Sequence, residues 1–446
     1  MILFFLIILF CILGVLTGIL TGLLPGLHVN NIALILLSIS PVIITLFTPL
    51  QQAGITAEII LVLIAIYIIS VSISHTFHDT IPTTFLGAPD ADTALSVLPA
   101  HSLLLEGKGY EAVALSAMGS YGAILISFLL LYPIRFIIGV PIQFYSTLQD
   151  IMIFVLIAIT LLMLATEKGK IDDFGFKGKT PAILGMLFAT FLFFLSGIFG
   201  YIALELPVSS PIGLDSPVLF PMLSGLFGLP TLLTSLATKP TIPEQDLSDP
   251  EIDKQTKKSS ILSVITGSGG GILVSIIPGI TSATGTILAM NARGESSKKQ
   301  TIVTLSAVNT ACAFFVVIVL FIILRSRSGA TLAAMQLINV NEWTQLLMPT
   351  NLSYMLMALL LGGTLSYFST LYVGKLFAKH FSKLPYQPLV AGTITLIVIL
   401  VFLFTGFMGL FILLVATFLG LLPVQWSVRR SHLMGVLLFP IILYFL

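Results

Sequence analysis

Residues 151–165 read IMIFVLIAITLLMLA, a stretch with no charge and no proline. Similar runs recur along the chain, among them MILFFLIILFCILGVL (1–16) and LIVILVFLFTGFMGLFILLVA (396–416). Lipid cannot hydrogen-bond the backbone, so only helices and closed barrels can span it. Barrel strands alternate apolar and polar side chains over roughly 10 residues. These runs do not alternate, which leaves helices. Only 9% of the 446 residues are charged and 57% are hydrophobic, against roughly 25% charged in a soluble domain. The chain therefore lacks a surface for water.

Two phrases interrupt the runs. Residues 18–30 read GILTGLLPGLHVN and residues 271–283 read GILVSIIPGITSA. Each is a glycine-rich apolar run closed by Pro-Gly, Pro25-Gly26 in the first copy and Pro278-Gly279 in the second. Glycines four apart, as at Gly18 and Gly22, also let membrane helices approach closely, the ordinary explanation of a lone pair. Repetition of the whole phrase, from Gly271 onward, points to broken helices. Non-helical backbone at membrane depth is tolerated only inside protein or beside a polar cavity. The N–H groups freed there favour anions, because a helix N-terminus carries partial positive charge. Polar residues follow each break: His28, Asn30 and Asn31 in the first, Thr281, Ser282 and Thr284 in the second. They are expected to contact a substrate or coupling ion, to cap the next helix, or both.

Basic residues collect at Lys168–Lys179, Lys254–Lys258, Arg293–Lys299, Lys375–Lys383 and Arg429-Arg430. Cytoplasmic loops gather such residues, and placing all five inside fixes the crossings between them. Residues 261–292 must leave and return, a re-entrant hairpin at Pro278-Gly279. Residues 301–324 cross outward, 325–349 form a second hairpin, 350–372 return, 388–425 give two spans, and 432–446 exit. The N-terminus has no positive charge near it and is expected outside, as a retained first segment. Residues 1–49 then form a hairpin about Pro25-Gly26, 58–76 cross inward and 79–110 form a second broken hairpin. Residues 112–132 cross outward and 151–166 return.

Hairpin, span, hairpin, span from opposite sides is an inverted-topology repeat, typical of secondary transporters. Residues 181–201 and 215–238 are extra spans leading to the polar linker at 239–260. The expected fold is an all-α polytopic plasma-membrane protein with about 10–12 membrane segments of roughly 20 residues each and both termini outside. Residues 1–165 form the first repeat, 166–258 the extra spans and linker, and 259–446 the second repeat.

The second hairpins carry charge. GAPDADTALSVLPAH (87–101) sets Asp90 and Asp92 between Pro89 and Thr93, and RSRSGATLAAM (325–335) opens with Arg325, Arg327 and Ser328. Ionisable groups within a membrane are costly and mark function by default. An arginine fork suits carboxylate or phosphate. Arg327, then Arg325, are thus expected to hold an anion; the competing role is snorkelling at the outer headgroups. Asp90 and Asp92 either bind Na⁺ or carry a proton, or cap the helix beginning at Thr93.

In SHTFHDT (74–80), His75 and Asp79 share a helix face, with His78 adjacent. A metal site would need further ligands; interhelical hydrogen bonding ranks first, then a proton relay. Asn309, in LSAVNTACAFF (305–315), is either a packing hydrogen bond or part of the site at the second break.

A net charge of +1 gives no basic footprint for nucleic acid. Cys11 and Cys312 form neither a disulfide framework nor a CxxC pair. No nucleophile elbow, Walker loop, HExxH or dinucleotide fingerprint is present, so neither enzyme chemistry nor a cofactor is expected. The composite reading is a secondary transporter driven by Na⁺ or H⁺. Gly26, His28, Asn30, Pro89, Asp90, Asp92, Thr93, Gly279, Thr281, Ser282, Asn309, Arg325, Arg327 and Ser328 surround its anionic substrate. The rival readings are a translocase of a lipid-linked phosphate, such as a polyprenyl phosphate, and a non-transporting assembly subunit.

The pattern G-x-L-x-G-x-x-P-G at 18–26, with IPTTFLGAP (81–89), GKGYEAVALS (107–116) and the second Pro-Gly, resembles the large membrane subunit of tripartite tricarboxylate transporters. The resemblance spans most of the chain and is closest to an archaeal-looking branch. It implies an ion-coupled carrier with inverted halves and a paired hairpin site. It also implies partners: a small membrane subunit and an extracytoplasmic binding protein. His28 stands where that family usually has glycine, Arg327-Ser328-Gly329 replaces a further Pro-Gly-Ser, and Asn309-Thr310 replaces paired asparagines. The arginine implies a more strongly anionic ligand, such as a phosphate.

Overall fold

Local causes set the helix ends. The computed structural model describes residues 2–24, 33, 36, 37, 39–52, 54–87, 97–167, 180–213, 218–238, 242–250, 254–278, 280–294, 297–381, 383 and 385–446. Helix α1 (Ile2–Leu23) is an unbroken apolar run, followed by short α2 (Ser40–Leu46) and α3 (Thr48–Gln52). Thr56 starts α4 (Ala57–His78) by accepting the Ile59 N–H at 3.4 Å, a standard N-cap. Helix α5 (Thr80–Leu86) prolongs α4 and ends at Gly87, whose φ of 67° is left-handed, where glycine pays no Cβ penalty.

After α6 (Val97–Leu105) come α7 (Gly109–Ile138), α8 (Phe144–Asp150) and α9 (Met152–Ala165). Then follow α10 (Thr180–Glu205), α11 (Leu219–Leu223), a π-helical turn (Ser224–Gly228) and α12 (Leu229–Thr238). The second half holds α13 (Lys254–Ile276), α14 (Ser282–Arg293), α15 (Lys298–Ile323), α16 (Gly329–Leu337), α17 (Thr350–Phe381) and α18 (Tyr386–Gln425). A 3₁₀ turn (Arg430–Met434) leads into α19 (Gly435–Phe445). Capping boxes open α15 (Ser297 with Gln300) and α16 (Ser328 with Thr331), satisfying N–H groups that a helix start leaves free.

Among the described residues nine helical segments are long and apolar enough to cross a membrane, and the pair α8–α9, bent by 74°, makes a tenth. The all-α membrane fold is as expected. Helix α18 holds two of the expected spans in one run of 40 residues, about 60 Å if straight against a membrane core of about 30 Å. It breaks at Gly406, φ 64°. Both arms lie along α11–α12. The Phe404 ring meets Phe220 at 6.4 Å, Gln387 Nε2 donates to the Ser235 carbonyl at 3.5 Å, and Gly420 abuts the Leu226 carbonyl. The chain therefore reverses at Gly406.

The most extensive helix contacts are α1 with α4 and α13 with α15. Both are glycine ladders. A Cβ on Gly14, Gly18 or Gly22 would lie 2.6, 2.4 or 2.8 Å from the Cβ of Ser70, Ser74 or His78. One on Gly267 or Gly271 would lie 2.7 or 2.6 Å from that of Ala307 or Ala311. Side chains are missing where backbones touch, the small-xxx-small device. Gly18, Gly22 and Gly271 thus lie inside continuous helices and make seams; α1 runs on to Leu23, and the second break comes after Ile276.

One further expectation changes. Residues 325–349 are not a helical hairpin: α16 is followed by an extended return. There Arg135 Nε donates to the Trp343 carbonyl at 3.2 Å and Nη2 to the Thr344 and Gln345 carbonyls. Polar Asn-Glu-Trp-Thr-Gln fits that role better than helix. The described part of the 239–260 linker is bonded to the bundle. The Asp246 N–H donates to the Gly107 carbonyl at 2.7 Å, the Tyr110 hydroxyl to Asp249 at 2.9 Å and Gln245 Nε2 to the Leu104 carbonyl at 3.1 Å. Lys298–Glu106 and Lys299–Glu111 ion pairs join the same end of the bundle.

Candidate functional site

The second break opens between α13 and α14. Thr281 is the N-cap of α14, yet its side chain makes no cap bond and its hydroxyl lies 3.5 Å from Met434 Sδ. Ser282 Oγ donates to Asn309 Oδ1 at 3.3 Å; the two are 1% and 7% exposed. Buried Thr284 and Thr310 adjoin them in sequence, with hydroxyls that have no partner among the described residues. One turn of α15 earlier, Ser306 and Ser116 of α7 share a hydrogen bond of 2.7 Å. The structure thus brings Ser282 and Asn309 together within an apolar bundle, at the break that Pro278 marks.

The first half has a different lining. His75 Nδ1 is hydrogen-bonded with the Thr21 hydroxyl at 3.2 Å, and Ser74 donates to the Val15 carbonyl at 2.9 Å. His78 Nδ1 bonds the Ser74 carbonyl at 2.7 Å, and its Nε2 is 3.0 Å from the Ser369 hydroxyl of α17. Asp79, 6% exposed, stands at the α4–α5 junction. Ser74, His75 and His78 thus bond α4 to α1 and α17. Among the described residues no three His, Cys, Asp or Glu groups converge to hold a metal. Pro25, Gly26, His28, Asn30, Pro89, Asp90, Asp92, Thr93 and Gly279 lie outside the described residues.

The two arginines do not join Ser282 and Asn309. Arg325 is exposed beyond the end of α15, 16 residues past Asn309 and so roughly 24 Å along the helix axis. Arg327 Nη2 donates to the Ile276 carbonyl and, at 3.1 Å, to the Tyr145 hydroxyl. It caps the free carbonyl end of α13, a partner every helix end needs, and pins it to α8. Ser328 is spent on the capping box of α16.

An acid that the sequence reading did not single out, next to the Lys168–Lys179 cluster, is buried. Glu167 Oε2 accepts from Arg429 N and Nε, both at 3.1 Å, and from His432 Nε2 at 2.7 Å. Glu167 is 5% and His432 1% exposed. Arg429 Nη2 also reaches the Thr166 hydroxyl at 3.2 Å, and Arg430 Nη1 donates to the Thr231 hydroxyl of α12. The turn sits beside the middle of α10: Trp426 stacks on Phe188 at 5.1 Å, Ser196 Oγ is 3.5 Å from the His432 carbonyl, and Phe439 meets Phe194 at 5.8 Å. The sequence carries only the adjacent pair Arg429-Arg430 as a signal, and a charge in sequence does not name its partners.

The sequence profile of the tripartite tricarboxylate transporter TctA family matches residues 8–435. An uncharacterized protein of Methanocaldococcus jannaschii is 28% identical over 385 residues, 85% of this chain and 88% of its own length, in line with the archaeal resemblance. No solved structure matches. The profile takes in both glycine ladders, both Pro-Gly phrases and the arginine turn, and the chain belongs to the tripartite tricarboxylate transporter TctA family.

Proposed function

We propose that the protein is a secondary transporter that moves a tricarboxylate-type or related anion across the membrane by alternating access, coupled to Na⁺ or H⁺. Its two halves are read as inverted repeats. The supporting observation is the pairing of α1–α4 with α13–α15: each is a glycine ladder that ends just before a Pro-Gly, and the second opens into a break between Ile276 and Ser282. In a bundle this apolar, buried Ser282 and Asn309 at one such break are a costly arrangement, and intramembrane polar groups of this kind mark substrate and ion paths. Discontinuous helices at a repeat interface are where secondary transporters hold substrate. Family membership adds the expected partners, a small membrane subunit and an extracytoplasmic binding protein.

The test is uptake of labelled citrate and a panel of di- and tricarboxylates into liposomes holding the purified protein, with Na⁺ or proton gradients imposed separately. Gradient-dependent accumulation is expected for at least one substrate. Uptake of none, with or without the partner subunits, would end this reading.

A further inference from the structure

The buried and half-buried arginines of this chain differ in how fully they are engaged. Arg135 spends its fork on four backbone carbonyls. Arg327 has Tyr145 and the Ile276 carbonyl, and Arg293 has Ser263, Thr304 and Gln300. Arg429 is neutralised by Glu167. Arg430 makes a single hydrogen bond among the described residues, to the Thr231 hydroxyl. That hydroxyl donates its own proton to the Phe227 carbonyl at 3.1 Å, so it is a true acceptor for the guanidinium. Among the described residues, Glu167 is already shared by Arg429 and His432.

The surroundings of this turn belong to both halves. Thr231 Cγ2 would lie 3.1 Å from a Cβ on Gly87, where α5 of the first half ends. Met434, four residues after Arg430, touches Thr281 at the second break. A planar guanidinium with one partner among the described residues is suited to bidentate capture of carboxylate or phosphate. A charged group kept among membrane helices is costly and marks function by default.

We infer that Arg430, held by Thr231, is the anion subsite of the protein and takes one carboxylate or phosphate group of the ligand. This rests on the proposed transport of an anion but extends it to a residue outside both Pro-Gly phrases. Glu167 acts on it as a positioning residue, by withdrawing Arg429 from the same ligand.

Full-length protein in nanodiscs is titrated with citrate, with inorganic phosphate and, in a separate arm, with a short-chain phosphatidic acid, followed by calorimetry and thermal melting. The wild type is expected to bind at least one of these and to melt higher in its presence. Arg430→Gln should weaken that binding by about tenfold or more, the worth of a charge-assisted hydrogen bond. Arg430→Lys and Thr231→Val keep the charge and should weaken it less while melting like the wild type without ligand. Arg325→Gln, at an exposed position, should bind as the wild type does. A preference for the phosphatidic acid over both free anions assigns the subsite to a lipid headgroup.

Wild-type affinity in Arg430→Lys, Thr231→Val and Arg430→Gln overturns the subsite, as does a wild type that binds none of the three probes. Gradient-driven uptake that survives Arg430→Gln leaves transport standing and removes the subsite. Arg430-dependent binding without uptake does the reverse.

Discussion

His432 Nε2 donates to Glu167 Oε2 at 2.7 Å, so the end of α9 is bonded to the turn that opens α19. The same carboxylate oxygen accepts the backbone N–H and Nε of Arg429. Three donors from a four-residue stretch therefore depend on one acid that is 5% exposed.

Removing that acid strands its partners. Glu167→Ala should destabilise the fold by about 3 kcal/mol, the usual cost of deleting one member of a buried pair, and Glu167→Gln by less. Thermal melting in detergent gives the measure. Wild-type melting of the alanine variant would mean that the cluster contributes nothing to stability.

The glycine ladders predict a position-specific pattern. Gly18→Leu and Gly271→Leu force side chains into seams with no room for a Cβ, and each should cost about 1–3 kcal/mol or more by overpacking. Gly269→Ala, in the same helix as Gly271 but facing open space, should be neutral or stabilising by up to about 1 kcal/mol. Equal effects at 269 and 271 would contradict the seam.

Ser282 and Asn309 should separate transport from stability. Ser282→Ala and Asn309→Ala remove one hydrogen bond, worth about 1 kcal/mol within membranes, and melting should shift little. If the pair lines the path, uptake kcat/KM should fall by about tenfold or more, the ratio expected when a transition-state contact is lost. Parallel small losses in melting and uptake would assign the pair to packing.

Arg327 should now behave as a structural residue. Arg327→Ala leaves the Ile276 carbonyl and Tyr145 without their donor, and stability should drop by about 1–3 kcal/mol. Citrate binding by whatever protein remains folded should be unchanged, measured by calorimetry.

At the polar end of the bundle, the hydrogen bond and charge of Lys298 hold the Glu106 carboxyl below its ordinary value of 4.5. The folded state therefore favours the ionised acid. This contribution is complete above about pH 4.5 and fades as pH falls through the lowered value. Both side chains are about half exposed, 54% and 47%, so the effect is small. Lys298→Gln should narrow the gap in melting temperature between neutral and acid pH; an unchanged gap would remove the pair from the acid response.

Sequence logic reached some of these features more readily than others. Counting basic clusters placed a reversal between residues 388 and 425, and Gly406 supplies it. Spacing alone could not say whether Gly18, Gly22 and Gly271 were breaks or seams, because close packing and chain interruption both call for residues without side chains. It took the facing Ser74 and Ala311 to decide. Arg325 and Arg327 drew attention by charge, but a charge in sequence does not reveal its partners, and Arg327 is committed to a carbonyl that lies 51 residues earlier. Arg430 was passed over because two adjacent arginines read as a cytoplasmic stop.

The two seams also decide where this protein can flex. A contact made backbone to backbone has no rotamer to swing aside and no gap to absorb sliding. Helices α1 and α4 will therefore travel as one piece, and α13 and α15 as another. Any rocking between outward- and inward-facing shapes has to be taken up elsewhere: at the bend between α8 and α9, at Gly406, and across the polar contacts around Arg429-Arg430.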